Sequence, residues 1–393
     1  MKNKGLLYLL LFTLIINSYY FNSYAMEQLQ KEKLYSISAA AIDGDSGRVL
    51  YEKNGYDERA MASTTKIMTL ILALELGNPK DIVTVSCYAA KMPEVKLGIK
   101  KGESYYLSDL LYSLILESHN DSAVAIAEHI GQTEEGFAKL MNDKAKQLGL
   151  DNTYFITPNG LDKQDKKSFH HTTAVDLARL MKYCCYDSPK KNEFINISQT
   201  KSHSFTDIER KRFFSVNNKN IFLDMYKGVL SGKTGFTCDA GYCYVCAVTI
   251  NNKNVVVAFL GAGWPNHKNY KWIDSRKLLD YILINYERKK IIDRNYYIPQ
   301  VNVNKGIEAK KINPYVKNDV EALCFDNDKI EIRHNICKDI SAPVKANEPI
   351  GKLDIYINNY KYKSIDIFSD ITINKIDYNY TINILLKKII HIK

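Results

Sequence analysis

The sequence predicts an α+β fold, in which one antiparallel sheet carries a helical cluster and a small all-β sandwich domain follows. Three observations lead to this prediction. Strand-like segments lie near both ends of the stretch 37–261, apolar residues at helical spacing fill the stretch between them, and β-type alternation dominates beyond residue 288. The length of 393 residues suits two domains with a sizeable core.

The elements of the first domain follow in chain order. Short strands are predicted at 37–43 and 48–51, on either side of a turn that contains two glycines. Apolar residues then recur at helical spacing over 63–76, and Gly77-Asn78-Pro79 ends this helix. Because strands return only after several helices, we expect distant chain segments to form one sheet. The other predicted helices are 108–116, 122–130, 134–148, 173–183 and 275–286, and the other predicted strands are 229–235, 241–250 and 255–261.

The N-terminal segment has the pattern of a secretory signal peptide. Lys2 and Lys4 precede an apolar run over 6–16, and the small residues Ser23 and Ala25 suit cleavage near Ala25. An uncleaved membrane anchor is the alternative, although the run is shorter than the ~20 residues that a spanning helix needs. We therefore expect residues 1–25 to be removed. The mature protein is then exported to the cell wall or to the outer face of the cytoplasmic membrane.

The overall composition excludes few functions. Hydrophobic residues make up 46% of the chain and charged residues 25%, so neither a disordered nor a multi-span membrane protein is indicated. The formal net charge of +10 favours anionic wall polymers and lipid headgroups as partners. We expect no nucleic-acid partner, because an exported protein rarely meets nucleic acid. Lysines scattered for solubility explain the charge equally well.

The C-terminal part of the chain predicts a separate all-β domain and a tail. A charged Glu-Arg-Lys-Lys stretch marks the boundary, which places the first domain at 26–288 and the second at 289–376. In the tail, 377–393, apolar residues gather on one side of a helical plot, with Lys387 and Lys388 beside them. Such a helix suits a membrane surface, which predicts peripheral membrane association. A last strand, or a helix packed on its own domain, is the alternative.

The cysteines and histidines give no sign of a metal or redox site. Cys243 and Cys246 lie three apart in an apolar strand, where their side chains point to opposite faces. Buried packing is therefore favoured over zinc or redox chemistry. Cys324 and Cys337 can pair across a hairpin, and the sequence leaves this open. The eight histidines show no His-Glu-x-x-His spacing, so we expect neither a metal nor another cofactor.

The predicted chemistry begins at Ser63, where the pattern Ser-Thr-Thr-Lys opens the first helix. Residues three apart share a helix face, so the Ser63 hydroxyl and the Lys66 amine can meet. A serine hydroxyl needs a base, and Lys66 is one only if burial or a second cation keeps its amine uncharged. The helix N-terminus also favours negative charge on the attacking oxygen. Taken alone, this pattern is weak, because any exposed helix start can produce it.

Two further clusters strengthen the prediction. Ser118 and Asn120 follow a helix, where the serine can relay a proton and the amide can hold the substrate backbone. On a strand, Lys233 supplies a second cation, Thr234 offers a hydroxyl to a carboxylate, and Gly235 lets a substrate strand approach the sheet edge. Singly, each cluster is more simply a turn or a solvated strand end. Together and in this order, they indicate an active site.

This trio is the motif set of penicillin-binding proteins and class A β-lactamases. The resemblance extends to most of the mature chain and is closest to the low-molecular-mass D-Ala-D-Ala carboxypeptidases. It implies a β-lactamase/transpeptidase-like domain that acts on peptidoglycan stem peptides ending in D-Ala-D-Ala and is inhibited covalently by β-lactam antibiotics. The segments that look like those of this family are 40–51, 62–69, 155–161, 170–178, 233–242 and 341–351.

Carried over by motif position, the resemblance implies a role for each site residue. Ser63 forms an acyl ester after Lys66 accepts its proton, and Ser118 is the third catalytic residue. The main-chain N–H groups of Ser63 and Phe236 form the oxyanion hole. Lys271 stands where family members hold the terminal carboxylate, often with an arginine. The implied substrate-binding residues are Asn120, Lys233, Thr234, Gly235, Phe236 and Lys271.

Two other functions share parts of this pattern. A β-lactamase uses the same acylation residues but hydrolyses its acyl-enzyme with a carboxylate-activated water. Glu193 and Asn196 superficially match the residues for that step, yet they fall too late after Ser118. A non-catalytic penicillin-sensing or wall-binding module would keep the site idle, and the intact set of side chains argues against it. Release of free D-alanine from a D-Ala-D-Ala peptide separates these functions.

Overall fold

The computed structural model describes residues 34–307 and 310–390, which adopt an α+β architecture. The chain divides into two compact units between Asn285 and Tyr286, shortly before the boundary expected at residue 288. The first unit combines helices with a central sheet, and the second consists of strands apart from its last helix. The predicted fold class is therefore confirmed. The predicted leader, residues 1–25, lies outside the described residues.

A five-stranded antiparallel sheet forms the centre of the first unit. Its strands are β1 (Ser38–Asp43), β2 (Val49–Lys53), β7 (Val229–Thr237), β8 (Gly241–Ile250) and β9 (Lys253–Leu260). Their order is β2-β1-β9-β8-β7, so β7 lies at one edge. Every residue of β1 is buried, and successive side chains of a strand point to opposite faces, so the sheet is covered on both sides there. This double burial explains why β1 and β9 are apolar runs without polar alternation.

The six predicted helices of the first unit occur in the predicted order, and three helices that were not predicted lie among them, Cys87–Ala90, Lys191–Gln199 and Phe222–Met225. Two short antiparallel strand pairs occur among them, β3 (Ile82–Thr84) with β4 (Ser104–Tyr106), and β5 (Ser202–Thr206) with β6 (Phe213–Asn217). The α-helices are α1 (Lys66–Leu76), α2 (Cys87–Ala90), α3 (Leu107–Tyr112), α4 (Asn120–Gly131), α5 (Glu134–Gln147), α6 (Ala174–Lys182), α7 (Lys191–Gln199), α8 (Phe222–Met225) and α9 (Tyr270–Asn285).

Two helices depart locally from the prediction. The helix expected from residue 63 begins instead as a one-turn 3-10 helix, Ala62–Thr65, and α1 starts only at Lys66. The Thr64 and Thr65 hydroxyls donate to main-chain oxygens three residues back, which favours this tighter turn. The helix expected over 108–116 ends in a π turn, Ser113–Glu117. A second π turn, Tyr183–Asp187, follows α6.

Helix α1 runs through the middle of the core. Every residue from Lys66 to Leu74 is buried, so this helix is surrounded on all sides by other elements. One of its neighbours is α4, whose residues from Asn120 to Ala127 are also buried. The start of α1 therefore lies away from solvent, and Lys66 is 0% exposed.

The second unit is an all-β domain with one terminal helix, α10 (Tyr378–Ile390). Its core consists of aliphatic side chains such as Ile292, Leu353, Ile355 and Ile367. The sheets have two, three and four strands, in the orders β10-β14, β12-β11-β16 and β13-β18-β17-β15. The strands are β10 (Tyr286–Ile292), β11 (Val301–Asn304), β12 (Lys311–Ile312), β13 (Pro314–Tyr315), β14 (Val320–Phe325), β15 (Ile330–Asn335), β16 (Asp339–Ser341), β17 (Pro349–Ile357) and β18 (Tyr360–Ser369).

Two further sequence expectations concern cysteines and membrane spans. All eight cysteines lie in the described part of the chain and none forms a disulfide, so Cys324 and Cys337 are not bonded to each other. Among the described helices, none combines the length and the apolar character needed to cross a membrane.

Candidate active site

Ser63 lies in the 3-10 turn Ala62–Thr65, directly before α1. Strand β7 passes close to this turn at Gly235, where a Cβ atom would lie 2.9 Å from Ser63 N and 3.0 Å from Ala62 Cβ. No larger residue fits without displacing the strand. Glycine was expected at position 235 so that a substrate strand could approach the sheet edge. The structure gives a different reason, which is the close approach of β7 to the main chain of Ser63.

The Lys66 amine has three polar neighbours. Lys66 Nζ lies 2.9 Å from Ser63 Oγ, 2.9 Å from Asn120 Oδ1 and 2.6 Å from the main-chain oxygen of Asn159. Burial holds the pKa of Lys66 well below its usual value, and the charge of Lys233 lowers this pKa further. The charge of Asp121 acts in the opposite direction. The pair that the sequence predicted, Ser63 and Lys66, is therefore in contact.

Asn159 was not recognised as part of the site from sequence. Its contribution is a main-chain oxygen, which also lies 3.5 Å from Ser63 Oγ, and a carbonyl leaves no trace in the residue type. The available signal was the turn sequence Pro158-Asn159-Gly160. Gly160 has φ +86°, and a Cβ atom there would lie 2.0 Å from Ala62 O, so the turn fits against the nucleophile turn only with glycine at this position.

The second predicted contact joins Ser118 and Lys233. Lys233 Nζ donates to Ser118 Oγ and to the main-chain oxygen of Thr234, both at 2.9 Å. Burial lowers the pKa of Lys233 to about 7. Ser118 follows the π turn with φ +69°, a left-handed conformation that turns the chain between the π turn and α4.

Asn120 and His119 each have a hydrogen-bonding partner in the protein interior. The Asn120 amide donates to Pro93 O at 3.2 Å, so its Oδ1 atom faces Lys66. The ring of His119 lies 2.8 Å from Ser113 Oγ, and burial is the main cause that lowers its pKa. Both residues therefore face the protein interior, whereas Ser118 faces Lys233.

The remaining predicted site residues lie along β7 and on α9. Thr234 is partly buried and Phe236 is exposed, with its ring 4.6 Å from that of Tyr242. Lys271 donates to the main-chain oxygen of Lys268, and its Nζ lies 4.4 Å from the centre of the Tyr242 ring. Burial lowers the pKa of Lys271 to about 8. The Tyr242 ring thus lies between Lys271 and Phe236, since it contacts both. The role of Lys271 in carboxylate binding stays a prediction.

Two amines, two serines and one open strand edge define what this site can do. Each amine lies within hydrogen-bonding distance of one serine hydroxyl, and burial lowers both amine pKa values. Strand β7 has a sheet partner on one side only, which leaves its other edge available to an extended peptide. In the part of the chain that the structure describes, no group of three histidine, cysteine or acidic side chains is placed to hold a metal ion.

These features define a penicillin-binding-type serine hydrolase, and the comparisons with known proteins agree. The family model described as "D-alanyl-D-alanine carboxypeptidase" matches residues 25–263, and the model described as "Penicillin-binding protein 5, C-terminal domain" matches residues 286–375. The chain therefore belongs to the D-alanyl-D-alanine carboxypeptidase family. The predicted enzyme class and function, a serine-type D-Ala-D-Ala carboxypeptidase, are confirmed.

Curated relatives and solved structures show the same family. The chain is 34% identical to the D-alanyl-D-alanine carboxypeptidase DacF of Bacillus subtilis, over 80% of each chain. It is 26% identical to DacD of Escherichia coli, over 83% of this chain and 84% of the relative. The crystal structure of penicillin binding protein 5 from Haemophilus influenzae aligns with a TM-score of 0.70 at 26% identity, over 88% of this chain and 99% of that one. Members of the family act on peptidoglycan outside the cytoplasm and bind β-lactams.

Proposed function

We propose that Ser63 is the nucleophile that removes the terminal D-alanine from stem peptides, with Lys66 as its general base. One observation carries this assignment. The Lys66 amine is fully buried and lies 2.9 Å from Ser63 Oγ, in surroundings that lower its pKa. An uncharged amine at this distance can accept the hydroxyl proton as the oxygen attacks the penultimate carbonyl.

The neighbours of Lys66 support the direction of this proton transfer. A neutral amine has two N–H groups and one lone pair. The Asn120 amide oxygen and the Asn159 carbonyl oxygen are both acceptors, so they engage the two N–H groups. The lone pair is left for Ser63, whose O–H donates to Lys66 Nζ. This is the arrangement that deprotonation of the serine requires.

The negative charge that develops on the substrate carbonyl oxygen needs donors that are already in place. The main-chain N–H groups of Ser63 and Phe236 supply them in our proposal. The close approach of Gly235 to Ser63 N supports it, because it holds β7 beside the nucleophile. One such donor stabilises a transition state by about 3 kcal/mol.

The leaving D-alanine needs a proton and a site for its carboxylate. The proton taken up by Lys66 passes through the Ser118 hydroxyl to the departing nitrogen, and a water then hydrolyses the acyl ester. The Lys233 amine donates a hydrogen bond to Ser118 Oγ at 2.9 Å, which orients the Ser118 hydroxyl for this proton transfer. Its positive charge attracts the substrate carboxylate. Thr234 and Lys271 complete the carboxylate site, and the open edge of β7 holds the substrate backbone, while Asn120 orients the Lys66 amine.

A labelling and turnover experiment tests the nucleophile. Ser63→Ala should abolish both D-alanine release and covalent labelling by penicillin. Ser204→Ala, which changes an exposed serine on β5, should leave both unchanged. Penicillin labelling that persists in Ser63→Ala on another serine would overturn the assignment.

We also propose that the protein is exported by its leader, residues 1–25, and returns to the membrane surface through its tail, residues 377–393. None of the residues of α10 is buried, and its exposed apolar side chains are those expected to enter a lipid interface. The exposed fractions are 54% for Leu385, 49% for Leu386, 64% for Ile389 and 68% for Ile390.

Removing residues 377–393 tests the tail. The shortened protein should no longer sediment with anionic lipid vesicles, whereas its D-alanine release should equal that of the full chain. Leu386→Asp together with Ile390→Asp should give the same loss without shortening the chain. Equal sedimentation of full and shortened proteins would contradict a membrane role for α10.

A further inference from the structure

His170 is a buried histidine to which the mechanism above gives no role. It is 2% exposed, and its two ring nitrogens contact different segments of the chain. His170 Nδ1 lies 3.0 Å from Ile156 N and 3.4 Å from Thr157 N, and Nε2 lies 2.8 Å from Thr65 Oγ1. Main-chain N–H groups only donate, so Nδ1 is the acceptor and the proton resides on Nε2, which donates to Thr65. Burial lowers the pKa of His170 to about 3, so the ring stays neutral near pH 7.

The Thr65 contact reaches the nucleophile. Thr65 Oγ1 accepts from the imidazole and donates to Ala62 O at 2.8 Å, across the 3-10 turn that contains Ser63. The same turn presents the Ser63 side chain to Lys66 and the Ser63 main chain to β7. The imidazole therefore holds the turn from its buried side.

The Ile156 contact reaches the carbonyl that accepts from Lys66. Ile156 and Thr157 open the turn that ends at Leu161, and Thr157 Oγ1 accepts from Gly160 N at 3.2 Å and donates to Leu161 O at 3.1 Å. In the middle of this turn, Asn159 O lies 2.6 Å from Lys66 Nζ. One ring thus connects the segment of the nucleophile to the segment that orients the base.

We propose that His170 is a positioning residue that fixes the Ser63 turn and the Asn159 turn relative to each other. It does not exchange protons with the substrate. This inference rests on the proposed function, because the geometry that His170 maintains affects rate only if Ser63 and Lys66 react. A displacement of about 1 Å between reacting groups costs about 10²-fold in rate.

Two variants separate positioning from simple packing. His170→Phe keeps a ring in the cavity but removes the hydrogen bonds of both ring nitrogens, and Thr65→Val removes the partner hydroxyl with little change in shape. We expect each to lower kcat for D-alanine release and the rate of penicillin acylation by tenfold or more, with KM changed less than threefold. The double variant should lose about as much as either single one, because both remove the same connection.

His171→Phe is the matched control. The neighbouring His171 is also buried, but its Nδ1 contacts Phe169 O and Ser168 Oγ, away from the nucleophile turn. This variant should lower the melting temperature comparably while kcat stays within twofold. His170→Gln, whose amide can still donate to Thr65, should regain part of the acylation rate.

The outcomes distinguish this inference from the function on which it rests. Equal kcat in His170→Phe and His171→Phe at matched stability would overturn the positioning role and leave Ser63 as nucleophile. Penicillin labelling that survives Ser63→Ala would instead overturn the proposed function. Losses that multiply in the Thr65→Val and His170→Phe double variant would show that the two side chains act separately, which also contradicts the proposal.

Discussion

At the level of single residues, the proposed chemistry depends on two buried lysine amines, each of which contacts a different serine. Lys66 reaches Ser63 and Lys233 reaches Ser118, each at 2.9 Å. Burial disfavours charge on both amines, and the charge of Lys233 lowers the pKa of Lys66 further. The base strength of Lys66 is therefore a property of its surroundings.

The first prediction concerns the pH dependence of acylation. Below the lowered pKa of Lys66 the amine takes up a proton, so the rate should fall about tenfold per pH unit on the acid side. Removing the Lys233 charge in Lys233→Met should raise the Lys66 pKa and move this fall to higher pH. Removing the opposing charge in Asp121→Asn should move it to lower pH. Penicillin acylation rates across pH check this, and shifts of equal sign would contradict it.

The second prediction concerns stability and His170. The folded-state pKa of about 3 lies below the ordinary value of 6.5, so between these pH values only the unfolded chain binds the proton. The contribution of His170 to the free energy of unfolding should therefore fall by about 1.4 kcal/mol for each pH unit below 6.5. The difference in unfolding free energy between wild type and His170→Phe should therefore shrink from pH 7 to pH 5. Urea unfolding followed by tryptophan fluorescence measures it, because both tryptophans, Trp264 and Trp272, lie in the first unit. A constant difference would contradict it.

Contacts between site residues were predictable where they join side chains. Ser63 contacts Lys66 as the sequence predicted, and Ser118 contacts Lys233. Asn120 was expected to hold the substrate backbone, but its amide contacts Lys66 and Pro93 O. Main-chain groups were not predictable, because a carbonyl such as that of Asn159 has the same sequence signature as any other. His170 was also missed. It stood in a recognised segment, but only the fold reveals that it contacts Thr65 and Ile156 at once.

Short turns, more than regular helices, position the reactive groups at the level of structural elements. Ser63 lies in a 3-10 turn, Ser118 follows a π turn, and Asn159 lies in the turn before Gly160. Helical periodicity predicted α1 and α3 but placed Ser63 within the α-helix. It missed the 3-10 turn because the cause is local, in the hydroxyl groups of Thr64 and Thr65.

A pair of glycines tests the contact between the two turns. In Gly160→Ala the new methyl group would lie 2.0 Å from Ala62 O, so the Asn159 turn must move away from Ser63 and Lys66. In Gly149→Ala the backbone is also left-handed, but no atom lies within 4 Å of the new methyl group. Both should lose about 1–3 kcal/mol of stability from backbone strain. Only Gly160→Ala should lower kcat by more than tenfold. Equal activity of the two variants would contradict this account.

Two glycines of β7 test the approach of this strand to the nucleophile. Gly235→Ala directs a methyl group at Ser63 N, 2.9 Å away, and should slow acylation by at least tenfold. Gly232→Ala directs its methyl group at Tyr244 OH, 2.5 Å away, and so crowds a different residue. We expect Gly232→Ala to lower stability more than acylation. Equal acylation rates in Gly235→Ala and Gly232→Ala would show that the proposed oxyanion hole does not depend on Gly235.

The candidate active site and the helix that we propose binds membranes lie in different structural units of the molecule. Every residue of the candidate site lies in the unit that ends at Asn285, and the amphipathic α10 lies in the other unit. The broad division was readable from sequence, because polar alternation replaces helical spacing near residue 288. The arrangement of the nine strands β10 to β18 in three sheets was not, because strands of two or three residues carry too little pattern.

This separation gives a prediction for a shortened protein. A chain ending at Asn285 should react with penicillin at a rate within about threefold of the full chain, because it contains all of the acylating residues. A chain ending at residue 376 serves as the control for loss of the tail alone. The near-ultraviolet circular dichroism spectrum shows whether the chain ending at Asn285 is folded. If that folded fragment did not react with penicillin, the acylation chemistry would depend on the second unit, which contradicts this prediction.

The protonation state of the Lys66 amine beside Ser63 shows most directly whether Lys66 can act as the base. Nitrogen-15 NMR of protein labelled at lysine Nζ, with Lys66→Arg to assign the resonance, reports the pKa of that amine. We expect a pKa well below 10.5 and an uncharged Lys66 at the pH where acylation is fastest. A Lys66 amine that stays protonated throughout the active pH range would contradict its role as the base.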